Sequence, residues 1–314
     1  MKTFLLIPLT LLLSCSSIKK PTTENSNSQL LQDLKVLSSD EYQGRKTGTK
    51  GAEMSRDYIS GRFKEIGLKP LTSLPGFEQP FSFKRGASPE VNGVNMIGYI
   101  KGKTEQVIVI SAHYDHLGIV KDEVFNGADD NASGVGGLLS IATYFAKNNP
   151  NNTIIFAAFD AEEMGLQGAK AFVVKPPVAI EKILLNINMD MIAHNDKGEL
   201  YACGTFKYPE LKKYFILKNS EIKVLFGHDD PKLGRSEDWT DQSDQGAFNA
   251  KNIPFLYFGV EDHKDYHKAT DEFQNINQAF YLNAVNAITD IANNIDKERD
   301  IQQIFKEKLQ MKKQ

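Results

Sequence analysis

Cysteine is nearly absent: Cys15 and Cys203 are the only two in 314 residues. That excludes a disulfide-stapled scaffold and any zinc module built on thiolates, since both need several cysteines at short spacing. Charge of one sign is missing too. The formal net charge is −3, and no basic block or interleaving of basic with aromatic residues occurs, so nucleic acid is not an expected partner. Internal repeats are lacking, and no linker divides residues 30–298. What remains is ordinary globular composition, 41% hydrophobic and 25% charged, in a chain long enough to bury a core without staples.

The first residues depart from that pattern. Lys2 precedes an apolar run from Phe4 to Leu13, which falls short of the roughly 20 residues of a membrane span and matches an export leader. It ends in Leu12-Leu13-Ser14-Cys15, which resembles a bacterial lipobox, whose cysteine becomes the lipidated first residue. The expectation is an exported chain held at a bacterial membrane through Cys15, facing the periplasm or exterior. Residues 16–29, rich in Ser, Thr, Asn and Lys, read as a tether, and 299–314 as a charged tail. Cys203 is then the one remaining thiol and reads as a small core residue. Nothing in the chain specifies an oligomeric state.

From Leu30 onward the pattern predicts an α/β fold. Leu30, Leu31, Leu34 and Leu37 recur at helical spacing, as do Met54, Tyr58, Ile59, Phe63 and Ile66 ahead of Gly67. Val107 to Ile110, Thr153 to Phe159, Ile183 to Ile187 and Ile253 to Val260 are short continuous apolar runs, as expected of strands buried on both faces. Helical patterns lie between them at Val135–Phe145 and Gly168–Val174, and a long one closes the domain from Asn277 to Asp296. Strands alternating with helices imply a three-layer αβα sandwich around a mostly parallel, mixed sheet.

The chemistry follows the strands. Open α/β sheets gather functional groups at strand carboxyl ends. Here those ends carry His113-Tyr114-Asp115-His116, Asp160-Ala161-Glu162-Glu163, Asp190, and Asp262 to His267, while Asp129-Asp130 opens a helix close behind the first. Acidic residues at one helix start have a bland explanation in capping. Clusters converging from several strands are better explained as a metal site. Imidazoles with carboxylates and no thiolate suit zinc, with manganese or cobalt as substitutes. Few imidazoles shared among several carboxylates suggest two ions about 3.5–4 Å apart, joined by one carboxylate. The adjacent Glu162 and Glu163 can divide the roles of ligand and proton acceptor.

The segments Ser111 to His116, Gly127 to Gly134, Glu162-Glu163, Asn188 to Met191 and Tyr266-His267 resemble, in order and spacing, the family 28 metallopeptidases. Leu37 to Gly48 and the helix up to Leu68 resemble that family's N-terminal part, so the likeness covers about residues 30–295. The resemblance implies a zinc-exopeptidase fold and a co-catalytic aminopeptidase acting on peptides. It implies His113 and Asp190 on one zinc, Glu163 and His267 on the other, and Asp130 bridging, often with a cis peptide bond after it. It further implies Glu162 as general base, Asp115 orienting His113, and Tyr266 hydrogen-bonding the oxyanion.

Some positions depart from the family pattern. Ser243-Asp244-Gln245 stands where many relatives have Ser-Asp-His, and Ala269 where a proline is usual. The segment Gly227 to Gln245, with the single tryptophan Trp239, reads either as a cover over the site or as a solvated loop. His116 and His263 are candidates to line the site. His194 and His228 are not expected as ligands. Asp271 is a candidate partner of His267, and Asp129 a helix cap. Two other functions fit the scaffold: a single-zinc glutaminyl cyclase, and a lipoprotein that only binds. The Asp130 to Gly134 pattern and the absence of an Asp-Asp-His stretch argue against the first, and the complete ligand set against the second.

Overall fold

The computed structural model describes residues 23–298 apart from Ala87, Asn219, Ser220 and Arg235. The expectations for the leader, for Cys15 and for the tail therefore fall outside the described residues. The helices are α1 (Thr23–Leu37), α2 (Lys50–Ile66), α3 (Gly134–Asn148), α4 (Gln167–Val174), α5 (Gln245–Ala250) and α6 (Gln278–Asp296). The strands are β1 (Glu78–Phe83), β2 (Val91–Ile100), β3 (Val107–His113), the short hairpin β4 (Gly118–Val120) and β5 (Glu123–Phe125), β6 (Thr153–Phe159), β7 (Ile183–Met189), β8 (Glu199–Cys203), β9 (Lys223–Phe226) and β10 (Phe255–Gly259). Among the described residues no helix is long and apolar enough to cross a membrane.

Eight strands form one sheet in the order β1-β2-β6-β3-β7-β10-β8-β9. Its centre, β6-β3-β7-β10, is parallel, while β1, β2 and β6 pair antiparallel, as do β10 and β8. The two-residue period of a strand sends alternate side chains to opposite faces. Ile108, Ile110 and Ala112 of β3 and Ile154, Phe156 and Ala158 of β6 enter the core under α1, α2, α3 and α6. Val107, Val109, Ile155, Ala157 and Phe159 meet Phe172 of α4 and Phe248 of α5 in the core on the other face. These are the three layers that the sequence pattern predicts.

Local signals set the helix ends. The Thr49 hydroxyl accepts from the Ala52 amide at the start of α2, and Gly67 ends it in a left-handed conformation (φ 91°). The Asn277 side chain caps α6 by accepting from Phe280. Helix α1 starts earlier than the apolar period suggests. Residues 23–29, expected as part of a tether, are helical, and the Gln29 amide donates to Asp33 within the same helix. Strands β8 and β9 escape sequence reading because both are short and β9 lies at the sheet edge.

Candidate metal centre

Parallel registration brings the chemical groups to one rim. His113 pairs with Phe159 across β3 and β6, so His113 and the Asp160 to Glu163 turn leave the sheet side by side. Asp190 follows β7 on the other flank, and the segment after β10 returns His267 to the same place. Asp130 sits in the tight turn at Ala128–Ser133 that leads into α3, and the Asp130–Asn131 peptide bond is cis. Asn131 braces that turn: its side-chain oxygen accepts from Gly134, and its amide donates to the Met189 carbonyl.

The two oxygens of Asp130 face two sets of donors. On one side, His113 Nε2 lies 3.4 Å from Asp130 Oδ1 and 3.2 Å from Asp190 Oδ1. On the other, His267 Nε2 lies 3.1 Å from Asp130 Oδ2 and 3.4 Å from Glu163 Oε1. His116 enters this second side, with Nδ1 2.9 Å from Glu163 Oε1. The His113 tautomer is set by its other nitrogen, since Nδ1–H donates to the Asp115 carbonyl at 3.1 Å. Nε2 therefore turns toward two carboxylates, which is favourable only if a cation, proton or metal, stands there. The electrostatics agree. Burial alone would pull the His113 pKa down, yet Asp190, Asp115 and Asp130 drive it well above its ordinary value. Burial also opposes charge on His267, but Asp130 and Glu163 raise it to about 10. Asp130, despite burial, is held well below the usual carboxylate range by His116, His113 and His267. Imidazole nitrogens and carboxylate oxygens without a thiolate are a donor set suited to zinc.

Glu162 differs from its neighbour. Burial pushes its carboxyl well up; His113 opposes this, while Asp190, Asp244 and Glu163 add to it. Its partner Glu163 is drawn down by His116 and His267 against the effects of burial and of Asp130. Two adjacent carboxyl groups with pKa values pushed apart are suited to different roles. The Asp115 carboxylate accepts from the Glu162 amide at 3.0 Å and lies 3.7 Å from the His113 ring. It holds the Glu162–Glu163 turn as well as facing the imidazole. Tyr266 stacks on His267 with centroids 4.0 Å apart and lines the same small cavity, of about 80 Å³, as Glu162, Asp190 and Trp239. A roomier groove of about 520 Å³ beside β1 and α4 is lined by no histidine or carboxylate and is remote from this chemistry.

Several supporting residues do other work than their sequence position suggests. Asp271 accepts from the amides of Asp129 and Asp130 at 2.8 and 3.0 Å, so it fixes the Asp130 backbone. Asp129 accepts from the Ala193 amide and from His263 Nε2, the His263 ring being oriented by the Asp265 amide at Nδ1. His194 stacks on His263. The segment before α5 is pinned to the sheet: Asn188 donates to Ser243 and Gln245, and Gln245 donates to the Trp239 carbonyl. Trp239 stacks on His228 at 3.7 Å and forms a wall of the cavity. Asp244 is fully buried with neither oxygen hydrogen-bonded, and burial pushes it up to about 8. Arg45, also buried, lies behind the carboxylates and donates to the carbonyls of Leu37, Tyr114, Asn126 and Gly127. No sequence period marks either residue.

Comparison with known proteins agrees with this geometry. The model of Peptidase family M28 matches residues 95–292. An alkaline phosphatase isozyme conversion protein from Escherichia coli is 32% identical over 184 residues, 54% of this chain and 52% of that protein. The chain thus spans about half the length of that relative. A zinc aminopeptidase from Bacillus subtilis shares the fold with a TM-score of 0.69 over 87% of this chain and 96% of its own, at 15% identity. A leucine aminopeptidase precursor from Bacteroides thetaiotaomicron gives 0.66 over 87% and 97%, at 18% identity.

Proposed function

This chain belongs to peptidase family M28, and from that premise we propose that it releases N-terminal residues from peptides using a pair of zinc ions. The observation that carries the proposal is the two-sided Asp130, with His113 and Asp190 against one oxygen and His267 and Glu163 against the other. In this reading those five residues hold the metal. Zinc, when bound, supplies Lewis acidity to the scissile carbonyl and makes water acidic enough to attack near neutral pH. Glu162, on the wall of the same cavity, takes the water's proton and passes it to the departing amine. Tyr266 is placed on the cavity wall to donate to the developing oxyanion. Asp115 keeps the Glu162 backbone and the His113 ring in position.

The small cavity, backed by Trp239 and rimmed with carboxylates, suits the ammonium end of a peptide better than the middle of a long chain. The names of the structural relatives point the same way. The leader and Cys15 support placement outside the cytoplasm on a lipid anchor, tested by loss of labelled palmitate in Cys15→Ser. The deciding experiment sets the zinc-loaded protein against aminoacyl-anilides, N-blocked peptides and peptides beginning with glutamine. Cleavage of free but not blocked amino termini is expected. Cyclisation of glutamine without hydrolysis, or no turnover of any substrate, would overturn the proposal.

A further inference from the structure

His116 is fully buried immediately after β3, and neither ring nitrogen has a hydrogen-bond partner. The ring is clamped in place: a Cβ on Gly127 would stand 2.6 Å from its Cγ and Cδ2, and Gly127 itself has φ +54°. Glu163 Oε1 is likewise buried without a hydrogen bond. The two orphans face each other, with His116 Nδ1 2.9 Å from Glu163 Oε1 but lacking the direction of a hydrogen bond. Buried polar atoms of native proteins are rarely left unmatched, and an ion is one of the few explanations for such a pair.

The geometry around Asp130 Oδ2 identifies where that ion belongs. Around the ring of four atoms, His116 Nδ1 to Glu163 Oε1 is 2.9 Å, Glu163 Oε1 to His267 Nε2 3.4 Å, His267 Nε2 to Asp130 Oδ2 3.1 Å and Asp130 Oδ2 to His116 Nδ1 3.7 Å. Ligand atoms about 2.0–2.1 Å from a tetrahedral zinc stand about 3.3 Å apart. Those edges bracket that value. We infer that His116 is a fourth protein ligand, through Nδ1, on the Glu163 and His267 side of the centre. The inference rests on the zinc-peptidase reading above and deepens it. The two sides are then unequal. The His113 side offers three protein groups, His113, Asp190 and one oxygen of Asp130, whereas the His116 side offers four.

The distinguishing signature is the choice of nitrogen, because His113 and His267 both present Nε2. In a long-range 1H–15N spectrum of the zinc-loaded wild-type chain, one imidazole bound through Nδ1 is expected, and it disappears in His116→Gln. Competition with chelators of graded affinity gives the second readout. The wild type should release its zinc in two separated steps. His116→Gln should weaken the tighter step by more than about 100-fold, the upper end of what loss of an outer hydrogen-bond partner costs. Glutamine can still hydrogen-bond Glu163, so zinc affinity within tenfold of wild type, with no Nδ1-bound imidazole, overturns the inference and leaves His116 a partner of Glu163. Failure of the wild type to bind any zinc would instead refute the peptidase reading. The spectrum of the wild type decides the matter even if the variant does not fold.

Discussion

Replacing Arg45 with methionine should be among the most damaging single changes away from the chemistry. The guanidinium is fully buried and has no carboxylate in direct contact; its charge is met by the carbonyls of Leu37, Tyr114, Asn126 and Gly127 at 2.5–2.9 Å. Burial pulls its pKa down to about 10, so it stays charged at neutral pH. Hydrogen bonds to a charged donor contribute about 1.5–3 kcal/mol each, which summed naively exceeds the benefit, because desolvating the cation costs several kcal/mol. The net loss on removal should be about 3–5 kcal/mol, since each buried carbonyl left without a donor costs about 1–3 kcal/mol and removing the cation's desolvation offsets part of the sum. That corresponds to a melting temperature lower by roughly 6–20 °C for a domain of this size. Arg45 also opposes the negative field of Asp130, Asp271, Asp115 and Glu163. Its loss should therefore destabilise the zinc-free protein more than the zinc-saturated one. Urea unfolding followed by circular dichroism, with chelator and with excess zinc, measures both quantities. Lysine at this position should recover little, since one ammonium cannot reach carbonyls on three separate segments. A loss below about 1 kcal/mol for the methionine variant, or full recovery by lysine, would show that the carbonyl cage is not what joins these segments.

Other outcomes follow from the site. Glu162→Gln should lower kcat by about 10²–10⁴-fold with KM little changed, as expected for a lost general base; steady-state kinetics within a few-fold of wild type would remove it from that role. Chelation should abolish hydrolysis and lower the melting temperature together, and added zinc should restore both; activity that survives complete metal removal contradicts the mechanism. Asp160 accepts from Thr47, Val94 and Ala161, yet burial and the neighbouring Asp115 raise its pKa from 3.8 to about 6. A carboxyl raised on folding binds its proton more tightly in the native state. Its contribution is whole below about 3.8 and is lost as pH rises through about 6. Asp160→Asn should thus flatten the fall in unfolding free energy across that window, by on the order of 2–3 kcal/mol. An unchanged pH slope in urea titrations would count against it.

Legibility in the sequence followed physical redundancy. β3, β6 and β7 announce themselves because burial on both faces forces continuous apolar runs. β8, with its Glu-Leu-Tyr-Ala-Cys sequence, meets no such demand along its length. The groups at the rim were visible because strand ends repeat the same kind of residue. Single residues without a repeating partner were not. Arg45 ends a short 3-10 helix, Asp40–Arg45, with nothing periodic around it, and Asp244 looks like any polar residue ahead of a short helix. The work of Asp271 on the Asp130 amides depends on a contact across 141 positions, which no local pattern contains. His116 was ambiguous because a histidine beside a metal motif has the same sequence appearance whether it packs, orients or ligates.

The strand order has a consequence for the sequence of events as the chain is made. β10 lies between β7 and β8, so β8 and β9, though synthesised earlier, pair only with each other until β10 joins them to the rest of the sheet. The same late segment brings His267, and Asp271 to clamp the Asp130 amides. A nascent chain that has emerged only as far as Asp190 already contains His113, Asp130 and Glu163 but lacks His267 and the Asp271 carboxylate that holds the Asp130 amide. Long-range pairings of this kind form late because loop closure must come first. The candidate metal centre is therefore complete only when the segment after β10 is in place, and a chain that stops short of it lacks one of the centre's imidazoles.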